Sequence, residues 1–344
     1  MPAEAGTASS PAFAPACALH RVVVVHQGAL GDFLLALPAF EGLARLHPGL
    51  KIDFLSRPGH VALLASRGYV GRIESHDSPG LAPFHHEELW NGAPLPPLLQ
   101  GPDAVFIFGR KTGRLLADRL SRRLPCPVQY VQSFPDPGDG RHVSDFILDQ
   151  MHRAGWFPDG YTPPPGLIDP PPEESSAAQE WLAQHGFKVD NKPFLIHPGS
   201  GGRAKIWPLS RWWALFHALF SRRVPALLTL GPADEELEAF AGAVRSLGVP
   251  TLRGLSLPGL CAFLRESRKY IGNDSGVSHL AALTGVDSVV VFGPTDPAVW
   301  SPRGPNVRTV RSHWEESEVF AWSPTIPPPL LEEWAEDIFR WEGR

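Results

Sequence analysis

The sequence predicts an α/β protein built of two doubly wound, Rossmann-like domains. Three observations carry that expectation: the length of 344 residues, apolar runs alternating with helical spacing in both halves, and a proline-rich break between them. A chain this long exceeds the size at which one hydrophobic core keeps growing, so two units are the natural division. Continuous β-branched runs followed by helices are what a parallel sheet covered on both faces requires.

Residues 1–19 are rich in Ala, Pro and Ser and bury too little apolar surface to offset their ordering entropy, so they are expected as a disordered tail. The first domain is expected over 20–160. It opens with the run Val22, Val23, Val24, Val25, passes through the turn QGALGD into a helix from Phe33 to Leu46, and returns in the strand KIDFLS, one βαβ unit. DAVFIFG and PVQYV read as further strands, and HVSDFILDQMHRAGW as a helix. From 161 to 172 the chain reads YTPPPGLIDPPP, where successive prolines forbid regular helix, and this is the expected linker.

The second domain is expected over 173–328, with strands at FLIH, PALLTLG, TLRG, KYIGND and SVVVFG. Helices are expected at PLSRWWALFHALFSRR, PADEELEAFAGAVRSLG, LPGLCAFLRES and SGVSHLAALTG. Residues 329–344 read as a closing amphipathic helix.

Composition excludes several classes. The net charge of −5 and pI near 6.3 come from interspersed charges without a Lys/Arg block, which argues against nucleic acid as a partner. Cys17, Cys126 and Cys261 stand far apart, with neither a CxxC pair nor a His cluster at ligand spacing, so reduced thiols and no metal site are expected. No apolar run approaches the ~20 residues of a membrane helix, and the N-terminus lacks the layout of a signal peptide. A cytoplasmic protein is expected, and peripheral attachment to a membrane surface is compatible with that.

In open α/β sheets ligands sit beyond the carboxyl ends of the strands, so the informative residues follow each apolar run. The first such turn, Gly28 to Asp32, lets glycine backbone approach a substrate and places Asp32 at a helix start. There it either caps the helix or stands at the reacting centre, and the spacing leaves both open. The second, HPGSGGRAKIWP, offers amide groups, Ser200 and the compact cation Lys205 to an anion such as a diphosphate. In the third, LTLGPADEELEAF, the carboxylates at the helix start either favour the dipole or accept hydrogen bonds from ribose hydroxyls, with Glu235 the preferred candidate. The fourth, GNDSGVSHLAALTG, brings Asp274, Ser275, Gly276 and His279 to a helix N-terminus, where several donors converge. A diphosphate on the amides of Ser275 and Gly276, with His279 as a further donor, would leave Asp274 to hold sugar hydroxyls. FGPTDP, with Thr295 and Asp296, shapes the same pocket.

HQGALGD, HPGSGGRAKIWP, and GNDSGVSHLAALTG followed by VFGPTDP, in this order and over most of the chain, resemble glycosyltransferase family 9, the lipopolysaccharide heptosyltransferases of two-domain GT-B fold. The resemblance implies a transferase that moves a heptose or related sugar from an ADP-sugar, with inversion at the anomeric carbon and without a metal or other cofactor. The implied acceptor is lipid-linked or oligosaccharide, in the lipopolysaccharide core or another surface glycan, and the implied place is the cytoplasm, in peripheral contact with the inner membrane. Carried over by motif, Asp32 is the catalytic carboxylate, Lys205 the phosphate-binding lysine, Asp274 and His279 the donor-site pair, and Ser200 a phosphate contact. Gly28 and Gly31 shape the acceptor-side turn. Two other readings compete: a GT-B transferase using a UDP- or GDP-sugar, and a non-catalytic nucleotide-sugar-binding module, which would have no use for Asp32. A nicotinamide dehydrogenase is disfavoured because the first turn lacks GxGxxG.

Overall fold

The computed structural model describes residues 18–163 and 166–337. In the first half β1 (Arg21–His26), β2 (Lys51–Ser56), β3 (Val70–Ser75), β4 (Ala104–Gly109) and β5 (Val128–Gln132) form an all-parallel sheet in the order β3-β2-β1-β4-β5. In the second half β6 (Phe194–His197), β7 (Ala226–Leu230), β8 (Thr251–Arg253), β9 (Lys269–Asn273), β10 (Asp287–Phe292) and β11 (Val307–Arg311) do the same in the order β11-β10-β9-β6-β7-β8. Each sheet reverses its winding beside its first strand, between β1 and β4 and between β6 and β9. Such reversals open a crevice at the carboxyl ends of the strands, and there the informative turns lie.

Alternation along β1 explains the layering. Val22 and Val24 enter a central apolar core with Phe33, Phe40 and Phe54, and that core continues into the second half through Leu195, Leu227, Tyr270 and Leu280. Val23 and Val25 point to the other face, against α3 (Lys111–Ser121) through Leu116 and Leu120. The outer face of the second sheet is covered by α6 (Leu209–Ser221) and α7 (Glu238–Ser246), with Trp212, Phe216 and Phe240 over Ile196, Leu228 and Val291. The inner layer carries α1 (Leu30–Leu46), α4 (Val143–Arg153), α5 (Pro172–Gln184), α8 (Leu257–Arg265) and α9 (Gly276–Thr284). The helix α2 (Pro58–Ala62) follows β2, α10 (Pro297–Trp300) is a single turn, and α11 (Glu333–Asp337) runs to the last described residue.

Several expectations change in detail. Leu19, expected in the tail, is buried and its amide donates to His47 Nδ1 at 3.2 Å, while residues 1–17, Cys17 among them, lie outside the described residues. The edge strands β3 and β11 were not expected from the sequence. The proline-rich stretch is docked where it is described, since buried Ile168 donates its amide to Leu283 O at 2.8 Å and α5 already begins at Pro172. The closing helix begins at Glu333 rather than at residue 329, and Asp337 is the last described residue. Cys126 and Cys261 carry free thiols, and burial pushes the Cys261 thiol up to about 12. Among the described residues no helix is long and apolar enough to cross a membrane.

Candidate active site

The turn after β1 meets the start of α9 across the cleft, and glycine makes that approach possible. A Cβ on Gly276 would lie 2.9 Å from the amide nitrogen of Gly31 and 2.9 Å from Leu30 Cβ, and one on Gly31 would lie 3.3 Å from His279 Cδ2. Gly28 is equally confined, its hypothetical Cβ falling 2.8 Å from Asp32 Cβ and 2.9 Å from His26 Cε1. Asp32 stands in the first turn of α1, where its Oδ2 accepts the amide of Ala29 at 3.0 Å. Burial raises its pKa above the ordinary carboxyl value, opposed by that amide and by the positive charges of Arg110 and, from the second half, Lys205. The carboxylate therefore caps its helix and also faces the opposite half.

On that opposite side Asp274 follows β9 and is almost fully buried. Its Oδ2 accepts from Lys205 Nζ at 2.8 Å and from Thr295 Oγ1 at 2.7 Å, and its carbonyl accepts from Ser200 Oγ at 2.8 Å. Three of the turns singled out in the sequence thus converge on one carboxylate. Asp274 does not stand free as expected; it is paired with Lys205, whose ammonium also lies 5.8 Å from the centre of the Trp300 ring. Ser275 is the N-cap of α9, its Oγ accepting the amide of Ser278 at 3.4 Å, and Gly276 opens the helix. Beneath them Ser278 Oγ meets Tyr270 OH at 2.9 Å and donates to Asn273 O, which fixes the cap from below.

His279 is buried on the following turn. Burial, with smaller contributions from Lys205 and His142, pulls its pKa down to about 4 against the attraction of Asp274, so it is a neutral imidazole. It packs on Gly31 and forms part of the wall of a cavity of about 700 Å³ between the halves, lined mainly by apolar side chains such as Leu34, Leu148, Leu283 and Val307.

The ribose candidate sits less favourably. Glu235 is exposed on the 3-10 turn Glu235–Leu237 and does not line the hollow of about 170 Å³ beside Ser200, Gly201 and Arg203; Asp234 and Glu236 do. Asp234 is buried, accepts the amide of Gly231 at 2.6 Å and lies so close to Gly199 that a Cβ there would fall 2.0 Å from its Oδ1. It braces the HPGSGG loop from behind. The sequence reading also missed Arg110, which directly follows β4 and lies 5.2 Å above the Phe134 ring. The rule applied to the other strands, that residues after an apolar run face the crevice, would have found it.

Two parallel sheets with their crevices opposed, and a polar turn from each meeting at the seam, are the architecture of a GT-B glycosyltransferase. The comparisons agree. Residues 169–323 match the model of Glycosyltransferase family 9 (heptosyltransferase). Lipopolysaccharide heptosyltransferase 1 of Escherichia coli (strain K12) is 24% identical over 305 residues, covering 85% of this chain and 93% of that protein. The structure of E. coli ADP-heptose lps heptosyltransferase II has a TM-score of 0.67 to this fold at 17% identity, over 93% of this chain and 98% of that one. E. coli heptosyltransferase WaaC with ADP has a TM-score of 0.60 at 21% identity, over 88% and 96%. Residues 169–323 thus resemble glycosyltransferase family 9 by its own model, and the chain as a whole is similar to lipopolysaccharide heptosyltransferases.

Proposed function

We propose that this glycosyltransferase moves a heptose from ADP-heptose to a lipid-linked acceptor in the lipopolysaccharide core, with inversion and without a metal. The observation that carries the reading is the apposition of Asp32, from the first half, to the Lys205, Asp274 and Thr295 cluster and the start of α9, from the second. The similarity to lipopolysaccharide heptosyltransferase 1 over most of both chains, and to the fold of a heptosyltransferase solved with ADP, supports the choice of donor and acceptor.

In this mechanism the diphosphate rests on the amides of Ser275 and Gly276 and on Ser200, and Lys205 turns from Asp274 to the phosphates. A helix N-terminus and an ammonium supply the positive charge that the departing ADP needs. Asp274, relieved of its cation, accepts sugar hydroxyls. The nucleoside lies toward the hollow beside the HPGSGG loop, with Glu236, which lines it, as the acceptor for ribose in place of Glu235. Asp32 takes the proton of the acceptor hydroxyl while that oxygen bonds to C1 and the C1–diphosphate bond breaks on the other face. His279, neutral and buried, is a positioning residue at the seam and a single hydrogen-bond donor. The reaction takes place on the cytoplasmic face of the inner membrane, where the acceptor is anchored.

The test is calorimetric titration with ADP-, UDP- and GDP-sugars, followed by transfer to a lipid-linked core acceptor with and without EDTA and assignment of the new anomeric centre by NMR. Preference for the ADP-sugar, EDTA-insensitive turnover and an inverted product are expected. Tight binding of a UDP- or GDP-sugar would replace the donor, and binding without any transfer would leave a nucleotide-sugar-binding module.

A further inference from the structure

The reaction needs Asp32 and the donor site, which stand on different halves, at one fixed spacing. We propose that the segment from Thr295 to Arg303 is the strut that sets this spacing, with His142, Asp145 and Arg303 as positioning residues. The proposal rests on the role assigned to Asp32 above.

One end of the segment is tied to the donor side. Thr295 bonds the Asp274 carboxylate at 2.7 Å, and Trp300 lies beside the Lys205 ammonium while its ring meets Phe134, from the first half, at 5.2 Å. The other end crosses to the first half and grips the start of α4. Arg303 is bidentate on Asp145, Nη1 to Oδ1 at 2.7 Å and Nη2 to Oδ2 at 2.5 Å. His142, the N-cap of α4, has its Nε2 2.8 Å from the carbonyl oxygen of Ser301. Because His142 Nδ1 accepts the amide of Ser144 at 3.2 Å, the ring proton is on Nε2, and the bond to Ser301 is donated by the imidazole. From α4 the connection runs to the catalytic helix: buried Ser144 donates its hydroxyl to Leu35 O at 2.9 Å, three residues beyond Asp32 on α1.

A polar path therefore joins Asp274 to the helix that carries Asp32, and it crosses between the halves where Ser301 and Arg303 meet the start of α4. The Arg303–Asp145 pair is about half exposed, 44% and 54% at the side chains, so it adds little to stability. Its planar, two-point geometry fixes an orientation instead. Misplacing a catalytic group by about 1 Å can lower a rate on the order of 100-fold without touching binding.

The experiment compares Asp145→Arg, Arg303→Asp and their double exchange, together with His142→Asn, which keeps a good helix cap but cannot reach Ser301. Each single variant should lose about 10- to 100-fold in kcat with donor Kd within about twofold of wild type and an unchanged thermal midpoint, and the double exchange should recover most of the loss. Small-angle scattering supplies a readout independent of turnover: the single charge variants should be more extended than wild type, and the exchange should restore the compact form. Unchanged kcat in the singles, equal losses in donor affinity and kcat, or no recovery on exchange would overturn the proposal. Should wild type show no transfer at all, the functional reading fails by itself, and identical scattering from all four proteins would then reject the strut as well.

Discussion

On the proposed mechanism, replacing Asp32 by Asn separates chemistry from architecture at the position where the two overlap. The Asp32 carboxylate accepts the Ala29 amide at 3.0 Å, and the carbonyl oxygen of Asn accepts the same bond, so the start of α1 should survive. The lost quantity is basicity. Removing a general base costs about 10²- to 10⁴-fold, or about 2.7–5.5 kcal/mol of transition-state stabilisation. Burial raises the Asp32 pKa, and a group raised in this way contributes stability that is complete below its unfolded value and is lost as pH rises through the folded one. At neutral pH wild type thus bears the cost of a buried carboxylate that Asn does not, so the variant should melt at the same temperature or higher, and the difference should close in acid. The same shift places the acid limb of kcat/KM above the ordinary carboxyl range, and the variant's residual activity should lack that limb. The assay is steady-state transfer across pH, paired with calorimetric donor titration and thermal melts. Near wild-type turnover in the Asn variant, with donor binding intact, would make Asp32 a helix cap and nothing more.

Three further outcomes follow from the geometry. Lys205→Ala should weaken donor binding by about 1.5 kcal/mol, roughly tenfold and at the low end for a charge-assisted contact, because 33% of the lysine side chain meets solvent; unchanged affinity by titration would make it a surface lysine. Gly276→Ala should abolish transfer while Gly31→Ala only reduces it, since the first places a methyl 2.9 Å from a backbone nitrogen and the second 3.3 Å from a ring carbon, and equal activities in a transfer assay would count against the tight seam. Burial lowers His26 to about 3 and His60 and His279 to about 4, so their contribution to stability is whole above the unfolded value near 6.5 and is lost as pH falls through the folded ones. Thermal midpoints should therefore decline from about pH 6.5 toward pH 4, less steeply in His60→Gln, and identical slopes would refute the assignment to these imidazoles.

What was legible in the sequence follows from what burial writes into it. Val22–Val25 and Val289–Phe292 are buried on both sides of a sheet, so they read as unbroken apolar runs. The edge strands β3, VGRIES, and β11, VRTVR, are half exposed and carry Arg and Glu, so their pattern resembles a polar loop. Asp32, Lys205 and Asp274 were legible as candidates because each follows such a run or the loop after one, and the rule about strand ends applies to them directly. The choice of Glu235 over its neighbours turned on how a 3-10 turn rotates successive side chains, which spacing alone does not fix. His142 and Arg303 are 161 residues apart in the chain and share a site only because the halves pack together, so no local pattern announces them.

The contact between Gly31 and Gly276 also limits how the protein can recover from damage. A mutation that adds a side chain usually has a remedy in its neighbour, which can be trimmed to make room. Here the nearest obstacle to a Cβ on Gly276 is the amide nitrogen of Gly31, an atom that every residue possesses. Shortening Leu30 to Ala would leave its Cβ, itself 2.9 Å away, in place. A genetic selection for revertants of Gly276→Ala should therefore yield true back-mutations or changes far from the pair that shift one backbone against the other, and compensating substitutions at position 31 should never be recovered.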